Sequence, residues 1–303
     1  MPTLQQGVTA DQRQQVIDLR RRHSLREVAK ATGLKVGTVK AIVSRSGAFR
    51  DNEAHRAMFT LPPIKISQQK LPDVQELPPQ QRVTGDKEVD ALLWLRSVIA
   101  TGQAGPIATA LEAAKRITTP LKALEDRYTD FLRINNPGNP FATFASIGFS
   151  DLERLAERSM TEHQRRTEAV ARFGGDIWLD TEPEGFCIEA LRGLPREGQF
   201  GGYDKAQASE RFKDHPELMP NTLPDCLREL EYWNQLYLLR NAVDRDASDG
   251  PEEASARDWF VFGLLADIRP RDKQEALAVF RYLMASERDD MAESEAILCN
   301  LIS

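Results

Sequence analysis

The chain has 303 residues, of which 41% are hydrophobic and 28% charged, and its net charge is −6. This size allows two domains with a sizeable core, and no apolar run approaches the ~18 to 20 residues of a membrane span. Neither a disulfide framework nor a zinc site is expected, because Cys187, Cys226 and Cys299 are odd in number and widely separated. Without the apolar core of a signal peptide, the sequence predicts a soluble, cytoplasmic protein with reduced thiols.

Two helix starts follow each other closely near the N-terminus. Thr9 and Gln12 have the spacing of a capping box, which predicts a first helix over 10–22. Ser24 and Glu27 repeat that spacing two residues after this helix ends. The sequence therefore predicts two short helices in immediate succession, as a compact three-helix unit requires.

The spacing of small and apolar residues over 24–46 fits a helix-turn-helix. Ala29 would let the two helices approach, Gly33 would bend the chain between them, and Val39 would anchor the third helix. Gly47 is expected to end that helix, because glycine accepts the left-handed conformation common just beyond a C-terminus. The remaining apolar positions of the predicted core are Val28, Leu34 and Ile42.

These residues resemble the tri-helical DNA-binding units of bacterial repressors, resolvases and invertases, over about residues 9–46. The resemblance implies double-stranded DNA as a partner, with the third helix in the major groove. The residues expected at base edges are Lys35, Thr38, Lys40 and Ser44. The residues expected at phosphates are Arg20, Arg21, Arg22, Arg26, Arg45 and Arg50. The chain departs from the pattern at Lys35-Val36, where Ser, Thr or Asn commonly caps the recognition helix.

Charge is distributed unevenly along the chain. Residues 1–70 contain 13 Lys and Arg against five Asp and Glu, a net of +8, so the other 233 residues carry −14. A basic module on an acidic body favours DNA binding by the module, because the body is kept away from phosphates. A two-helix turn of this kind also occurs in helical proteins that do not bind DNA, and the charge asymmetry argues against that alternative.

A segment rich in Pro and Gln, over 60–86, predicts a linker. The expected domains are thus a helix-turn-helix domain over 1–59, this linker, and an acidic α-helical domain over 87–303. In the alternative, Ile64-Lys65-Ile66 forms a short strand or packs on the body.

Beyond Lys87 the hydrophobic period is helical, and the expected fold class is all-α. Val89 to Ile99 form an apolar stripe, and Ser150 with Glu153 forms a capping box. Asp289 and Asp290 are expected at the start of the last helix, where acidic groups suit the macrodipole. The other predicted helices cover 106–117, 120–134, 150–172, 183–193, 223–243, 251–267, 271–286 and 289–301. The segment 194–222 predicts a functional loop or an insertion, and Gly198 to Gly202 lack the spacing of a phosphate-binding loop.

No catalytic or metal-binding pattern is found, and no cofactor is expected. The four histidines, His23, His55, His163 and His215, stand in no spacing typical of metal ligands.

The favoured function is a transcriptional regulator that acts as a homodimer. The second is a plasmid or mobile-element maintenance or transfer accessory, whose acidic domain recruits a protein partner. A DNA-processing enzyme ranks third, because the body lacks strand-like alternation. The wide apolar faces of the last two helices either pack on each other within one chain or form the dimer interface.

Overall fold

The computed structural model describes residues 8–47, 49–65, 76–139, 141–197, 202–244 and 250–302, with the backbone alone at positions 21 and 22. Nearly all regular structure in these ranges is helical, as predicted. The exception is a two-residue antiparallel pair, β1 (Arg196–Glu197) and β2 (Gly202–Tyr203), in which Arg196 stands opposite Tyr203.

The helices alternate with short connections along the chain. In order they are α1 (Ala10–Arg22), α2 (Leu25–Thr32), α3 (Val36–Ser46), α4 (Glu53–Met58), α5 (Lys87–Ile99), α6 (Ala104–Ala114), α7 (Leu121–Asn135), α8 (Leu152–Phe173), α9 (Glu182–Ala190), α10 (Lys205–Lys213), α11 (Leu223–Val243), α12 (Glu252–Asp267), α13 (Lys273–Ala285) and α14 (Ser294–Ile302). Two 3₁₀ segments, Ala142–Ser146 and Pro216–Leu218, complete the set within the described residues.

The chain forms two compact units. The first unit comprises Met1–Leu61, Trp178–Tyr237 and Ser248–Ser303, and the second comprises Pro62–Ile177 and Leu238–Ala247. This division differs from the predicted one, because residues 87–303 are shared between the units and α1–α4 belong with the C-terminal helices. The physical reason is a set of hydrogen bonds and ion pairs between α4 and α11, which a linear domain boundary after residue 59 does not anticipate.

The first unit has a large apolar core around α12. Phe260, Val261 and Phe262 are consecutive in this helix and all are buried. Successive helical residues point about 100° apart, so α12 is covered on most of its circumference. Cys187 and Cys226 are buried in the same core, whereas Cys299 is exposed. Burial raises the pKa of the Cys187 thiol well above its ordinary range, which keeps it protonated.

The second unit packs α5, α6, α7 and α8 around an apolar core that includes Leu92, Ile99 and Leu124. Gly102 connects α5 and α6 with a φ of +74°. A Cβ atom there would lie 2.4 Å from the Cβ atom of His163 and 2.5 Å from the carbonyl oxygen of Ser159. Glycine is therefore required at this position by both backbone conformation and close approach.

The described ends of the Pro-rich segment are hydrogen-bonded within the second unit. The Lys65 amide donates to the Ala171 carbonyl at 2.7 Å, and Trp94 Nε1 donates to the Pro78 carbonyl at 2.7 Å. Ile64 and Lys65 keep their side chains exposed, so only this backbone bond attaches them, and no strand forms in the described part of the segment. Residues 66–75 lie outside the described residues.

Three local predictions are wrong. Helix α8 is capped by Asp151 rather than Ser150, because the Ser150 hydroxyl donates to Glu125 at 2.6 Å. The last helix begins at Ser294, so Asp289 and Asp290 precede it instead of lying in its first turn. The segment 194–222 contains β1, β2 and α10 and is not one long loop; its residues 198–201 lie outside the described part of the chain. Within that part, no helix has both the length and the apolar character needed to cross a lipid bilayer.

Candidate nucleic-acid interface

Helices α1, α2 and α3 pack on a small apolar core of their own. Val16, Val28 and Val39 are fully buried, and Ala29 is nearly so. The partly buried residues around them are Leu19, Leu25, Leu34, Ile42 and Val43. Each helix of this trio therefore contributes at least one anchoring valine, and Val28 and Val39 lie at the core positions that the sequence predicts.

The start and turn positions also follow the sequence. Thr9 and Gln12 cap α1, and Ser24 and Glu27 cap α2, each with both bonds of the capping box. Gly33 ends α2 with a φ of +69°, and a Cβ atom at this position would meet no other atom within 4 Å. Glycine is favoured there by backbone conformation rather than by space.

One face of α3 is open to solvent. Val36, Lys40 and Ser44 are exposed and succeed each other at intervals of four residues, so they form one stripe along the helix. Lys35 occupies the N-cap position and makes no side-chain capping bond, as its residue type predicts. The first turn of α3 therefore lacks a side-chain acceptor for its amide groups, and such amides attract anions.

The predicted contact residues are placed unequally. Lys35, Lys40, Ser44 and Arg45 are exposed together on or beside α3, whereas Thr38 is half-buried. Arg26 on α2 and Arg50 after α3 are also exposed. The side chains of Arg21 and Arg22 lie outside the described residues.

Arg20 differs from Arg26, Arg45 and Arg50 because its side chain is half-buried. Its Nη1 donates to the His23 carbonyl at 3.0 Å, and the guanidinium carbon lies 5.7 Å from the centroid of the Phe49 ring. Its Nε atom is buried and has no hydrogen-bond partner in the described structure. This placement ties Arg20 to the segment that follows α3.

Helix α4 is attached to α11 by a network that sequence analysis did not identify. The Asn52 amide donates to Asp225 at 3.0 Å, and the Asn52 side chain donates to the carbonyls of Glu217 and Met219 at 2.9 and 2.8 Å. Arg56 Nε donates to the other oxygen of Asp225 at 2.7 Å. Asp225 is fully buried, so these bonds replace its lost hydration.

A second part of this network is wholly buried. His55 Nε2 lies 2.6 Å from Glu229 Oε2, and Arg257 Nε donates to Glu229 Oε1 at 2.7 Å. Burial alone would raise the pKa of Glu229, but Arg257 and His55 together outweigh it and lower that pKa. The Arg257 guanidinium also lies 5.1 to 5.6 Å from the centroids of four rings: Phe59, Phe186, Phe212 and Phe260.

The sequence carries little signal for this network. His55 and Glu229 are 174 residues apart, and neither stands in a motif. Asp225 and Glu229 have a helical spacing of four residues, which is ordinary on a solvated helix face. Only the unusual burial of these charges, visible in three dimensions, distinguishes them.

Among the described residues, no group of three or more His, Cys, Asp or Glu side chains is placed to hold a metal ion. A scan against protein-family models finds no match to the chain, and no curated protein or solved structure shows significant similarity to it.

Proposed function

We propose that this protein binds double-stranded DNA sequence-specifically through α3 and acts as a dimeric transcriptional regulator. The observation that carries the proposal is the open face of α3, where Lys35, Lys40 and Ser44 are exposed on a helix held by the α1–α3 core. An exposed helix with short polar and cationic side chains suits readout of base edges in the major groove. Arg26, Arg45 and Arg50 would contact phosphates, which set register and contribute salt-dependent affinity.

The charge distribution supports the same orientation. The net charge of +8 over residues 1–70 lies on the segment that contains α1–α4, whereas the rest of the chain is acidic. Phosphates therefore attract the helix-turn-helix and repel the remainder, which favours docking through α3.

Dimerisation through α13 and α14 is part of this proposal. These helices border a groove of about 690 Å³ with exposed Leu277, Phe280 and Ile302. Lys273 and Asp289 lie along the same groove, so a second copy related by a twofold axis can pair opposite charges. A dimer would present two α3 helices to half-sites about one helical turn apart.

The proposal is tested by selecting bound duplexes from a random DNA library with the full chain. We expect enrichment of an inverted repeat. Lys40→Ala should weaken binding by about 1 to 3 kcal/mol and relax preference at one base position, whereas Arg26→Ala should weaken binding on all sequences alike. Lys87→Ala, an exposed lysine at the start of α5, is the control and should bind as the unmodified chain does. Absence of enrichment, or equal losses for both variants on selected and random DNA, would overturn the proposal.

A maintenance or transfer accessory is the second candidate, supported by exposed apolar side chains in the second unit. Ile134, Phe141, Phe144 and Ile147 are 62 to 75% exposed, and such patches mark protein-interaction surfaces. In this case the DNA-binding helices would deliver a protein partner to its site. Mapping the bound sites discriminates the candidates, because a regulator occupies promoters whereas an accessory of this kind occupies a repeated array.

A further inference from the structure

A cleft of about 410 Å³ lies inside the first unit, where the helix-turn-helix meets the connections before α11 and after α12. Arg20, His23 and Phe49 form one wall. Asn221 and the segment 268–271 form the other wall. This volume falls within the range of ligand pockets, roughly 300 to 1,000 Å³. The cleft therefore has the size of a small-molecule site, and both walls belong to the same compact unit.

The charged side chains that line the cleft are cationic. They are Arg20, Arg269 and Arg271, beside the imidazole of His23, and no acidic side chain lines the cleft among the described residues. Arg271 forms ion pairs with Asp51 at 3.0 Å and with Glu275 at 2.5 Å. Arg20 supplies a buried Nε donor that has no hydrogen-bond partner. A buried donor without an acceptor is costly, so an anion that reaches this atom from the cleft would be favoured.

The lining also includes three uncharged polar residues, Ser24, Asn221 and Thr222, and four apolar ones. Val43 and Phe49 contribute apolar surface on the helix-turn-helix side, and Ile268 and Pro270 contribute it on the opposite side. Cationic and apolar side chains in one cleft suit a ligand that has both an anionic group and an apolar body. Simple inorganic anions would satisfy the first feature without filling the second.

We propose that this cleft binds a small organic anion, with its carboxylate or phosphate near Arg20 and Arg269 and its apolar body near Phe49 and Ile268. Such a ligand would connect α1 to the segment after α12, and so would favour one orientation of the helix-turn-helix. Its effect on DNA affinity rests on the proposed function, whereas its binding does not. Coupling between two sites in one protein is typically about 5- to 150-fold.

The binding experiment is calorimetric titration of the full chain with phenyl phosphate, which combines a dianion with an aromatic ring. Inorganic phosphate and phenol test each half of the ligand alone. We expect saturable one-to-one binding, at least tenfold tighter than that of either half. Arg20→Gln and Arg269→Gln should each weaken it at least tenfold, because each removes a charge-assisted hydrogen bond. Arg116→Gln, at an exposed position in the second unit, should leave it unchanged.

Pro270→Glu is the second test, because it adds a negative charge to the cleft and removes none of its cations. It should abolish phenyl phosphate binding while thermal unfolding remains that of the unmodified chain. Absence of saturable binding, or equal binding by Arg116→Gln and Arg269→Gln, would overturn the proposal. The proposal would also be overturned if random duplex DNA displaced phenyl phosphate and bound more weakly to both Arg20→Gln and Arg269→Gln. The cleft would then hold a DNA phosphate.

DNA affinity measured with and without saturating phenyl phosphate separates this inference from the proposed function. A change of at least fivefold supports both. Ligand binding in a chain that enriches no DNA sequence overturns the proposed function and leaves the cleft assignment standing. Sequence-specific DNA binding by a chain that takes up no phenyl phosphate overturns the cleft assignment alone.

Discussion

Helices α1–α3 and helix α4 are neighbours in the chain, yet different interactions stabilise them. Val16, Val28 and Val39 form an apolar core inside α1–α3, whereas α4 is attached to the rest of the first unit through His55 and its buried partner Glu229. An apolar core of this size depends on local sequence. A buried ion pair depends on a partner from a distant segment, and its energy is lost when either side is removed.

The comparison shows why a Pro-rich segment need not mark the end of the preceding folded region. The chain from Asn52 to Phe59 lies before that segment and is already bonded to α11 or packed against it. Helices α1–α3 are consequently separated from this bonded segment, which starts at Asn52, by only a few residues. The orientation of α3 then depends on interactions around α4.

Replacing Arg257 by Met should have the largest effect on stability. Removal of one partner of a buried ion pair costs about 3 to 5 kcal/mol, because the other charge is left uncompensated. Urea unfolding followed by tryptophan fluorescence measures it, since Trp178, Trp233 and Trp259 all lie in the first unit. Arg281→Met, at an exposed position on α13, should change stability by less than about 0.5 kcal/mol.

The double variant Arg257→Met/Glu229→Leu sharpens this prediction. It removes both charges, so it should recover part of the stability lost in the single variant. A single variant within about 1 kcal/mol of the unmodified chain would show that α4 is not held by buried charge.

Replacing Val39 by Ala should cost about 2 kcal/mol, because it deletes two methyl groups at ~0.8 kcal/mol each and leaves a small cavity. The loss should be local to α1–α3. Hydrogen exchange there should accelerate roughly 30-fold, while amides in α11 and α12 keep their protection. Val36→Ala, on the exposed face of the same helix, is the matched control. Equal acceleration in α11 and α12 would mean that α1–α3 and the rest of the first unit unfold together.

The sequence was a good predictor where local chemistry determines structure. Thr9 with Gln12 and Ser24 with Glu27 cap the predicted helices, because capping joins residues three positions apart. Gly33 has the expected positive φ. Capping prediction was wrong at Ser150, where Glu125 accepts the hydroxyl hydrogen that the local pattern did not consider.

Long-range features could not be predicted in the same way. The charge of Arg20 predicts a phosphate contact, whereas its half-buried position depends on Phe49, which belongs to no motif. The attachment of α4 depends on Asp225 and Glu229, more than 160 residues away. Hydrophobic periodicity identifies which face of a helix is buried, but it does not identify the partner of a buried charge.

Acidification should weaken the attachment of α4 by up to about 1.4 kcal/mol per pH unit for each carboxylate that titrates. Against the effect of burial, Arg257 and His55 lower the pKa of Glu229. For Asp51, burial would raise the pKa, but Thr222, Arg271 and Arg56 lower it. The stabilisation that the Glu229 and Asp51 carboxylates contribute is therefore complete above their pKa in the unfolded chain, about 4. It is lost as the pH falls through their lower pKa values in the folded chain. Urea unfolding between pH 6 and pH 2 measures the slope.

Two isosteric variants assign this slope. Glu229→Gln and Asp51→Asn remove one titrating carboxylate each, so each should flatten the dependence on pH. His163→Gln, which replaces a side chain in the second unit, should leave the slope below pH 5 unchanged. A slope that is identical in the unmodified chain and both isosteric variants would place the acid sensitivity outside this network.

The smallest expected effect comes from the cap of α2. Ser24 accepts a hydrogen bond from the Glu27 amide, and its own amide donates to the Glu27 carboxylate. Ser24→Ala removes only the first bond and should cost about 1 kcal/mol, whereas Ser24→Gly should cost a few tenths. Hydrogen exchange of the Glu27 amide measures this local loss. Because this cap lies inside the α1–α3 group, protection of α4 should stay constant in both variants; a parallel loss in α4 would show that the local core and the buried charge network form one cooperative unit.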